Sequence, residues 1–328
     1  MPLKVHFLNV GRGDCTVIEF PSGRIGIVDI DTLRTFDPDT ERELREQCAD
    51  SFEYIVTNAL TPVTASDVLA KYVREREVEI TDPFRYYDEH IGRVTPFRVL
   101  ITHPDMDHMT GLDHLYRTHG IANFWHTGIH DFNLADTTDA EWRDCPYAKS
   151  DWDMYNTLRA GGANLPTTLQ KYQGLTGDYW TQDGLELWAP TPQLEARAVE
   201  ISQPNVLSMI IRVSHAGRAI VLGGDAIGDE TWAAIYPTLK MSGVSVLKAS
   251  HHGRKTGYHQ PSVREMAPRL TITSVGQKEH DATELYRRYS EHTVSLRDAG
   301  DITITINDDG QWYYSPNAAA HWKDKLVT

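Results

Sequence analysis

The chain has 328 residues, of which 40% are hydrophobic and 24% charged, and these proportions are typical of a globular protein with a sizeable core. Its net charge of −14 argues against a broad nucleic-acid-binding surface and against adsorption to anionic membranes, while leaving room for a local basic groove. The three cysteines are too scattered for a disulfide framework, and no signal peptide or membrane span is recognisable, so we expect a cytoplasmic protein.

The first hundred residues predict strands interrupted by a polar segment. Apolar runs over 3–10, 15–20 and 24–30 are separated by turns that contain Gly or Pro. Residues 97–101, Phe-Arg-Val-Leu-Ile, form a largely apolar run, which is typical of a strand buried on both faces. Residues 32–95 are more polar, and we interpret them as an insertion. Its helix candidates are 39–47, 64–77 and 82–91.

The rest of the chain predicts alternating helices and strands. Residues 108–120 predict a helix that ends at Gly120. Residues 123–188 are rich in Thr, Asp, Gly and Trp, with one helix near 152–159, and we interpret them as a second insertion over the site. Further strands are predicted at 208–213, 218–222, 244–249, 270–275, 302–306 and 312–314, with helices at 229–239, 261–266 and 282–290. This order predicts one layered α/β domain over residues 1–328.

The strongest motif is Thr-His-Pro-Asp-Met-Asp-His at 102–108, where a buried strand ends and a helix begins. It places His103, Asp105, Asp107 and His108 in one loop, and imidazoles together with carboxylates suit zinc, manganese or iron. The alternative is a polar turn in which one Asp caps the helix, but a cap requires only one of these four residues. The motif therefore favours a metal site.

Two further strand ends carry residues of the same kind. Asp225 follows the apolar strand 218–222 and could bridge two cations, although Asp after two glycines is also common in ordinary turns. His251 and His252 follow the strand 244–249, and adjacent side chains point apart, so one ligand and one neighbouring catalytic group are expected. A solvated histidine pair is the alternative for that segment alone. Three such strand ends in one chain favour a metal centre.

These segments resemble the metallo-β-lactamase superfamily and, within it, the soluble domain of ComEC-type competence proteins. The matching segments are Phe-Leu-Asn-Val-Gly-Arg-Gly-Asp at 7–14, Ile-Val-Asp at 27–29, the 102–108 motif with Gly111, Asn205 with Ser208, Gly224-Asp225, and Leu-Lys-Ala-Ser-His-His-Gly at 247–253. The resemblance implies a four-layer αββα sandwich with the metals at one edge, between the two sheets. It also implies a hydrolase in which two divalent ions, Zn or Mn, activate a water molecule.

The resemblance further implies a division of ligands between two ions. The implied ligands are His103 and Asp105 for the first ion, Asp107, His108 and His251 for the second, and Asp225 as a bridge. The superfamily pattern has histidine where Asp105 stands and a further histidine where Asn205 aligns, as in the ComEC branch. The first ion would then have harder and fewer ligands, so we expect weak binding and a preference for manganese or magnesium.

Other residues are expected to act around the ions. Asp107 and His252 are the candidate catalytic residues, with His252 placed beside the ligand His251. Asp29 and Asp14 are expected to accept hydrogen bonds from ligand imidazoles, although each is also an ordinary turn residue.

The expected substrate is a phosphodiester, which would make the protein a nuclease or phosphodiesterase. Lys248, Arg254, Lys255 and Asn205 are the candidate substrate-binding residues, and the three cations would form an anion clamp beside the metals. A solvated charged loop is the alternative for these cations. Two other functions stay open: hydrolysis of another ester, a lactone or an amide, and a non-catalytic metal-binding module of a larger assembly.

Four tryptophans fall within the second insertion: Trp125, Trp142, Trp152 and Trp180. They are compatible with a lid, with a surface for a protein partner or with plain packing, and the sequence does not decide among these.

Overall fold

The computed structural model describes residues 1–33, 80–128, 137–274, 280–316 and 325–326. The helices expected at 39–47 and 64–77 lie outside these ranges, and the single domain over 1–328 stays a prediction. Within the described ranges, no helix is both long and apolar enough to cross a membrane.

Two sheets form the centre of the structure. Their strands are β1 (Leu3–Phe7), β2 (Thr16–Glu19), β3 (Ile25–Val28), β4 (Arg98–Leu100), β5 (Asn123–His126), β6 (Thr167–Gln170), β7 (Leu185–Ala189), β8 (Ile210–His215), β9 (Arg218–Leu222), β10 (Val246–Lys248), β11 (Leu270–Thr273), β12 (His292–Ser295), β13 (Ile302–Ile306), β14 (Trp312–Pro316) and β15 (Lys325–Leu326). The first sheet has the order β15-β14-β13-β1-β2-β3-β4-β5-β6, and the second has the order β12-β11-β10-β9-β8-β7.

Both sheets combine antiparallel and parallel pairing. In the first sheet, β1 pairs with β2 and β13 in antiparallel fashion, and the strands from β3 to β6 are parallel. In the second sheet, β7, β8 and β9 are antiparallel, and the strands from β9 to β12 are parallel. The carboxyl ends of parallel strands meet at one edge of a sheet, and open α/β sheets place their ligands there.

Most helices pack on the outer faces of the two sheets, and two short ones, Asp178–Gln182 and Leu296–Ala299, contribute side chains to the cluster between the sheets. The helices are α1 (Pro83–Tyr86), α2 (Leu112–His119), α3 (Asp139–Asp144), α4 (Lys149–Ala160), α5 (Asp178–Gln182), α6 (Pro192–Ile201), α7 (Ala233–Ile235), α8 (Gln260–Met266), α9 (Thr283–Tyr286) and α10 (Leu296–Ala299). Shorter helical turns lie at Tyr87–Ile91, Met106–His108, Pro204–Leu207, Gly228–Trp232, Tyr236–Thr238, His251–Gly253 and Lys255–Gly257. The helix predicted over 229–239 is present as a continuous helical run over 228–238, which tightens at Tyr236–Thr238, where Pro237 lacks an N–H to donate.

Three apolar clusters define the layers. Between the sheets, side chains such as Phe7 and Leu100 of the first sheet pack with Ile211 and Leu222 of the second. Outside the first sheet, α2 and α4 pack against β4 and β5. Outside the second sheet, α6, α8 and α9 pack against β8, β9 and β10. Because successive side chains of a strand point to opposite faces, each sheet contributes side chains to both an inner and an outer cluster. The prediction of a four-layer αββα sandwich is confirmed.

The structure differs from the interpretation of residues 123–188 as an insertion. This segment supplies β5 and β6 to the edge of the first sheet and β7 to the edge of the second. Edge strands are short and partly solvated, so they carry a weak apolar pattern, as the sequence Thr-Thr-Leu-Gln of β6 illustrates. The four tryptophans of the segment are all buried, with exposures of 2–7%, and so they pack inside the protein. A protein partner for this segment stays a prediction.

Candidate metal centre

The expected residues meet where parallel strands of both sheets end. In the first sheet, Asp29 follows β3 and His103 follows β4 by two residues. In the second sheet, Asp225 follows β9 and the two histidines follow β10. A backbone hydrogen bond of 3.0 Å from Met209 N to Thr102 O joins the two sheets at this edge. The site therefore lies between the sheets, at the position that the resemblance implies.

The 102–108 loop is shaped by close backbone packing. It leads from β4 into the helical turn Met106–His108, and α2 begins at Leu112 after Gly111. Gly111 has a φ of 104°, a left-handed conformation that favours glycine. Across the loop, a Cβ at Gly13 would lie 2.0 Å from the carbonyl oxygen of Asp107, so only glycine fits there. These two glycines allow the ligand loop to turn sharply into the site.

One group of side chains surrounds His103. Its Nε2 atom lies 3.2 Å from Asp105 Oδ2 and 3.9 Å from Asp225 Oδ2. His103 is fully buried, whereas the Asp105 side chain is 28% exposed. This group therefore lies on the solvent side of the centre. Asn205, where the superfamily pattern has a histidine, lies buried in the helical turn Pro204–Leu207.

A second, more buried group contains Asp107, His108 and His252. His252 Nε2 lies 3.5 Å from Asp107 Oδ2 and 3.3 Å from Asp225 Oδ2, and His108 Nε2 lies 3.3 Å from Asp225 Oδ1. Two ligand atoms about 2.0–2.2 Å from one ion in tetrahedral geometry are about 3.3–3.5 Å apart. The observed separations match that spacing, and each oxygen of Asp225 faces at least one imidazole.

Several polar atoms at this edge lack a hydrogen-bond partner although they are buried. They are His103 Nε2, His108 Nε2 and Asp225 Oδ1. A buried polar atom without a partner costs about 1–3 kcal/mol, so such atoms are rare unless an ion or water satisfies them. All three atoms point into the space where the ring nitrogens and carboxylates converge. The residues present therefore fit a divalent metal centre.

Asp29 holds the ligand loop and one imidazole together. Its Oδ2 atom lies 2.9 Å from His108 Nδ1 and accepts a hydrogen bond of 2.8 Å from Thr102 Oγ1, while its Oδ1 accepts one of 2.7 Å from Thr102 N. A hydrogen bond from Nδ1–H to a carboxylate leaves Nε2 as the metal-binding atom. This is the contact that the sequence suggested for Asp29.

Asp14 lies behind His252 and is bound by three side chains. Its carboxylate accepts hydrogen bonds from Lys248 Nζ at 2.8 and 2.9 Å and from Ser274 Oγ at 2.8 Å, and its Oδ1 lies 3.6 Å from His252 Nδ1. Burial alone would raise the pKa of Asp14, but Lys248 and His252 outweigh it and hold this pKa well below its usual range. Lys248 is 4% exposed and is engaged inside the protein, so it does not serve the anion clamp predicted together with Arg254 and Lys255.

The two adjacent histidines differ from their expected arrangement. The sequence analysis placed His251 with Asp107 and His108, whereas the structure places His252 there. His251 Nε2 lies 3.7 Å from Asp225 Oδ2, and its Nδ1 lies 2.7 Å from Thr256 Oγ1. Both histidines have left-handed backbones, with φ values of 51° and 59°. The resemblance implies a histidine ligand at this turn but carries no information on its backbone angles, so it does not determine which of the two rings faces Asp107.

Within the second group, the carboxylates and imidazoles shift one another's pKa values towards the charged forms. Burial alone would raise the pKa of Asp225, but His252 and His108 hold it well below its usual range. Burial would likewise lower the pKa values of His108 and His252, but Asp225 and a second carboxylate behind each ring raise them well above their usual range. In the absence of metal, both imidazoles therefore carry protons that a metal ion must displace.

Asp31 was not singled out in the sequence, although it lies beneath the ligand loop. It accepts hydrogen bonds of 3.0 Å from the backbone N–H groups of Gly13 and Leu33. Burial raises its pKa to about 7, and the nearby Asp107 adds to the rise.

Comparisons with known proteins find similar solved structures but no matching family. The chain matches no protein-family model and no curated protein. Among solved structures it is similar to Igni18, a novel metallo hydrolase from the hyperthermophilic archaeon Ignicoccus hospitalis, at 14% identity and a TM-score of 0.40, covering 93% of this chain and 99% of that one. It is also similar to the metallo-β-lactamase fold protein YhfI from Bacillus subtilis, at 10% identity and a TM-score of 0.39, covering 96% and 100%. The layers and strand orders described above, rather than these matches, establish the fold.

Proposed function

We propose that this protein is a metal-dependent hydrolase that holds two divalent ions at the edge between its sheets. The observation that carries this proposal is the set of buried ring nitrogens and carboxylate oxygens that converge on Asp225 without hydrogen-bond partners. The proposed ligands are His103 and Asp105 in one group, Asp107, His108 and His252 in the other, and Asp225 between them. His252 replaces His251 in the second group because it is the imidazole that faces both Asp107 and Asp225.

The chain's own residues prepare the site for this chemistry. When bound, two divalent ions act as Lewis acids and lower the pKa of water towards about 7. Asp29 orients the His108 ring, and Asp14 with its counter-ion Lys248 faces the rear of the His252 ring. Although burial alone would raise their pKa values, the protonated His252 and His108 hold the pKa values of Asp107 and Asp225 below their usual range, so both carboxylates stay ionised and available as ligands. No nucleophilic side chain is required, so the proposed nucleophile is water.

For the substrate we propose a phosphodiester, in keeping with the resemblance to ComEC-type domains. Arg254 and Lys255 directly follow the histidine turn His251–Gly253. Two cations beside a metal centre would offset the repulsion between an anionic substrate and a chain of net charge −14. An ester, lactone or amide would not need these cations. The intact set of carboxylate and imidazole ligands argues against a non-catalytic module.

The test combines metal analysis with turnover. The purified protein would be loaded separately with Zn²⁺ and Mn²⁺ and assayed on single-stranded DNA, RNA, a chromogenic phosphodiester and a lactone, with Asp225→Asn as the matched inactive variant. We expect metal-dependent cleavage of phosphodiesters that Asp225→Asn abolishes. Turnover of the lactone alone would refute the phosphodiester proposal, and a metal-loaded protein inactive on every substrate would refute the hydrolase proposal.

A further inference from the structure

His251 and His252 are adjacent in the chain and face the same carboxylate oxygen. Their Nε2 atoms lie 3.7 Å and 3.3 Å, respectively, from Asp225 Oδ2. The Nδ1 atom of His251 lies within hydrogen-bond distance of Thr256 Oγ1, at 2.7 Å, whereas the Nδ1 atom of His252 makes no hydrogen bond and faces the charged Asp14 Oδ1 at 3.6 Å. In metal sites, a partner at one ring nitrogen commonly leaves the other nitrogen as the ligand. Both rings therefore present Nε2 to the metal centre.

The backbone that orients the two rings is strained. Two successive non-glycine residues with φ values of 51° and 59° are uncommon, because side chains rarely adopt this left-handed conformation without support from the surrounding fold. The turn is held in place by a hydrogen bond of 2.8 Å from His251 N to Gly224 O, next to Asp225. It is also packed against Gly257, where a Cβ would lie 2.9 Å from the Cβ of His251. The result is a pair of rings tilted by 55°, with centroids 6.1 Å apart.

The two ligand groups differ in the number of proposed ligands besides Asp225. Asp107, His108 and His252 offer three ligand atoms that lie close to one another, with His108 facing Oδ1 of Asp225 and His252 facing Oδ2. The other group contains only His103 and Asp105, because Asn205 stands where the superfamily pattern has its further histidine. His103 Nε2 and His251 Nε2 face the same Oδ2 atom of Asp225, at 3.9 Å and 3.7 Å.

We propose that His251 completes the first group, so that the two adjacent histidines bind different ions. His251 would join His103 and Asp105 and take the place of the missing histidine, while His252 serves the second ion. This inference rests on the proposed two-metal function. With His251, the first ion has two imidazoles and two carboxylates, a set that suits zinc as well as manganese. Without it, oxygen ligands dominate, and the first ion should shift towards manganese or magnesium.

Metal titration of single and double variants tests this assignment without an activity assay. Wild type, His251→Asn, His252→Asn and the doubles His251→Asn/His103→Asn and His251→Asn/His108→Asn would be titrated with Zn²⁺, Mn²⁺ and the spectroscopic probe Co²⁺. Circular dichroism would check that each variant folds. His259→Asn is the matched control, because His259 belongs to the same segment but its Nδ1 lies 2.8 Å from Ser262 Oγ.

We expect His251→Asn either to lose one of two bound zinc equivalents or to bind it with at least tenfold lower affinity. The decrease in affinity for Mn²⁺ should be smaller. Adding His103→Asn should remove no further equivalent, whereas adding His108→Asn should remove the second. His259→Asn should bind as wild type does. Two zinc equivalents at wild-type affinity in His251→Asn would overturn the inference while leaving the proposed function intact. A wild-type protein that binds no metal would refute the proposed function itself.

Discussion

Lys248 Nζ and the carboxylate of Asp14 form a buried ion pair, at 2.8 and 2.9 Å, directly behind the ring of His252. Their side chains are only 5% and 9% exposed, so neither charge is well solvated. The pair joins the second sheet to the loop after β1, and it places a fixed negative charge beside Nδ1 of His252. A lysine that the sequence suggested for substrate binding thus contributes to the orientation of a proposed ligand.

We first predict that Lys248→Met lowers stability and metal affinity and does not act through KM alone. Removing one partner of a buried pair costs about 3–5 kcal/mol, because the other charge is left uncompensated. The pKa of Asp14 is depressed in the folded wild-type protein. The stability that the ion pair provides is therefore fully present above the unfolded pKa of about 4, and it is lost as pH falls from there through the folded pKa. Urea unfolding at several pH values measures this.

The double variant Asp14→Asn/Lys248→Met is the matched control. It should be more stable than the sum of the two single substitutions predicts, because it leaves no unpaired charge. If Lys248→Met instead keeps wild-type stability and raises only KM, the ion pair is not the role of Lys248.

The second prediction concerns the carboxylate between the two ligand groups. Asp225→Asn should reduce the bound metal from two equivalents to none at micromolar concentrations, because one amide cannot replace a carboxylate that faces both groups. Metal content after gel filtration measures the stoichiometry. Two equivalents retained in this variant would contradict the bridging position of Asp225.

A third prediction separates a ligand from the residue that orients it. Asp29→Asn should weaken metal binding about 10–100-fold without changing the stoichiometry at saturation, because the His108 ring loses its charged acceptor. Asp301→Asn is the control: Asp301 is also buried and accepts hydrogen bonds from Asn9 N and Thr81 Oγ1, away from the ligands. Equal effects of the two substitutions would mean that Asp29 acts only through stability.

The fourth prediction follows from the raised pKa values of His108 and His252. In the metal-free protein both rings stay protonated well above pH 6.5, so metal binding must release protons and its affinity should rise with pH. The stability that these protonated rings contribute is present below about pH 6.5 and is lost as pH rises through the folded pKa. Calorimetric titration of Zn²⁺ in two buffers of different ionisation enthalpy measures the protons released. Absence of proton release at neutral pH would contradict the raised values.

The last prediction concerns Arg254 and Lys255. Replacing both with Gln should raise KM for a phosphodiester with little effect on kcat, because the lost attraction is uniform across ground and transition states. The effect should shrink at 1 M salt, where the Debye length is about 3 Å. A neutral ester serves as the control substrate and should be unaffected. Unchanged KM for the phosphodiester would remove the electrostatic support for that substrate class.

The sequence predicted the layers of the fold better than their edges. Runs that are apolar apart from one arginine, such as 97–101 and 218–222, became central strands, because burial on both faces favours apolar side chains. The edge strands β5, β6 and β7 were taken for an insertion, since short strands at the border of a sheet have few buried positions. The predicted helix 282–290 is shortened to Thr283–Tyr286, whereas the predicted helices 82–91, 229–239 and 261–266 keep nearly their full length as helical runs.

The site shows the same division between local and long-range information. The ligand loop at 102–108 was predictable because its residues are contiguous. The pairing of Lys248 with Asp14 joins residues that are distant in sequence, and no local pattern indicates it. The choice between His251 and His252 depends on two left-handed backbone angles that the fold imposes, which places it beyond any spacing rule.

The proposed ligands belong to two different sheets, so the thickness of the apolar core between those sheets determines how far apart they lie. His103 is carried by the first sheet and Asp225 by the second, with Leu100 and Leu222 packed in the core below them. Shortening such a core side chain would allow the two layers to approach each other. Metal affinity would then change even though every coordinating atom is retained, and selection for binding would act on interior side chains that never contact an ion.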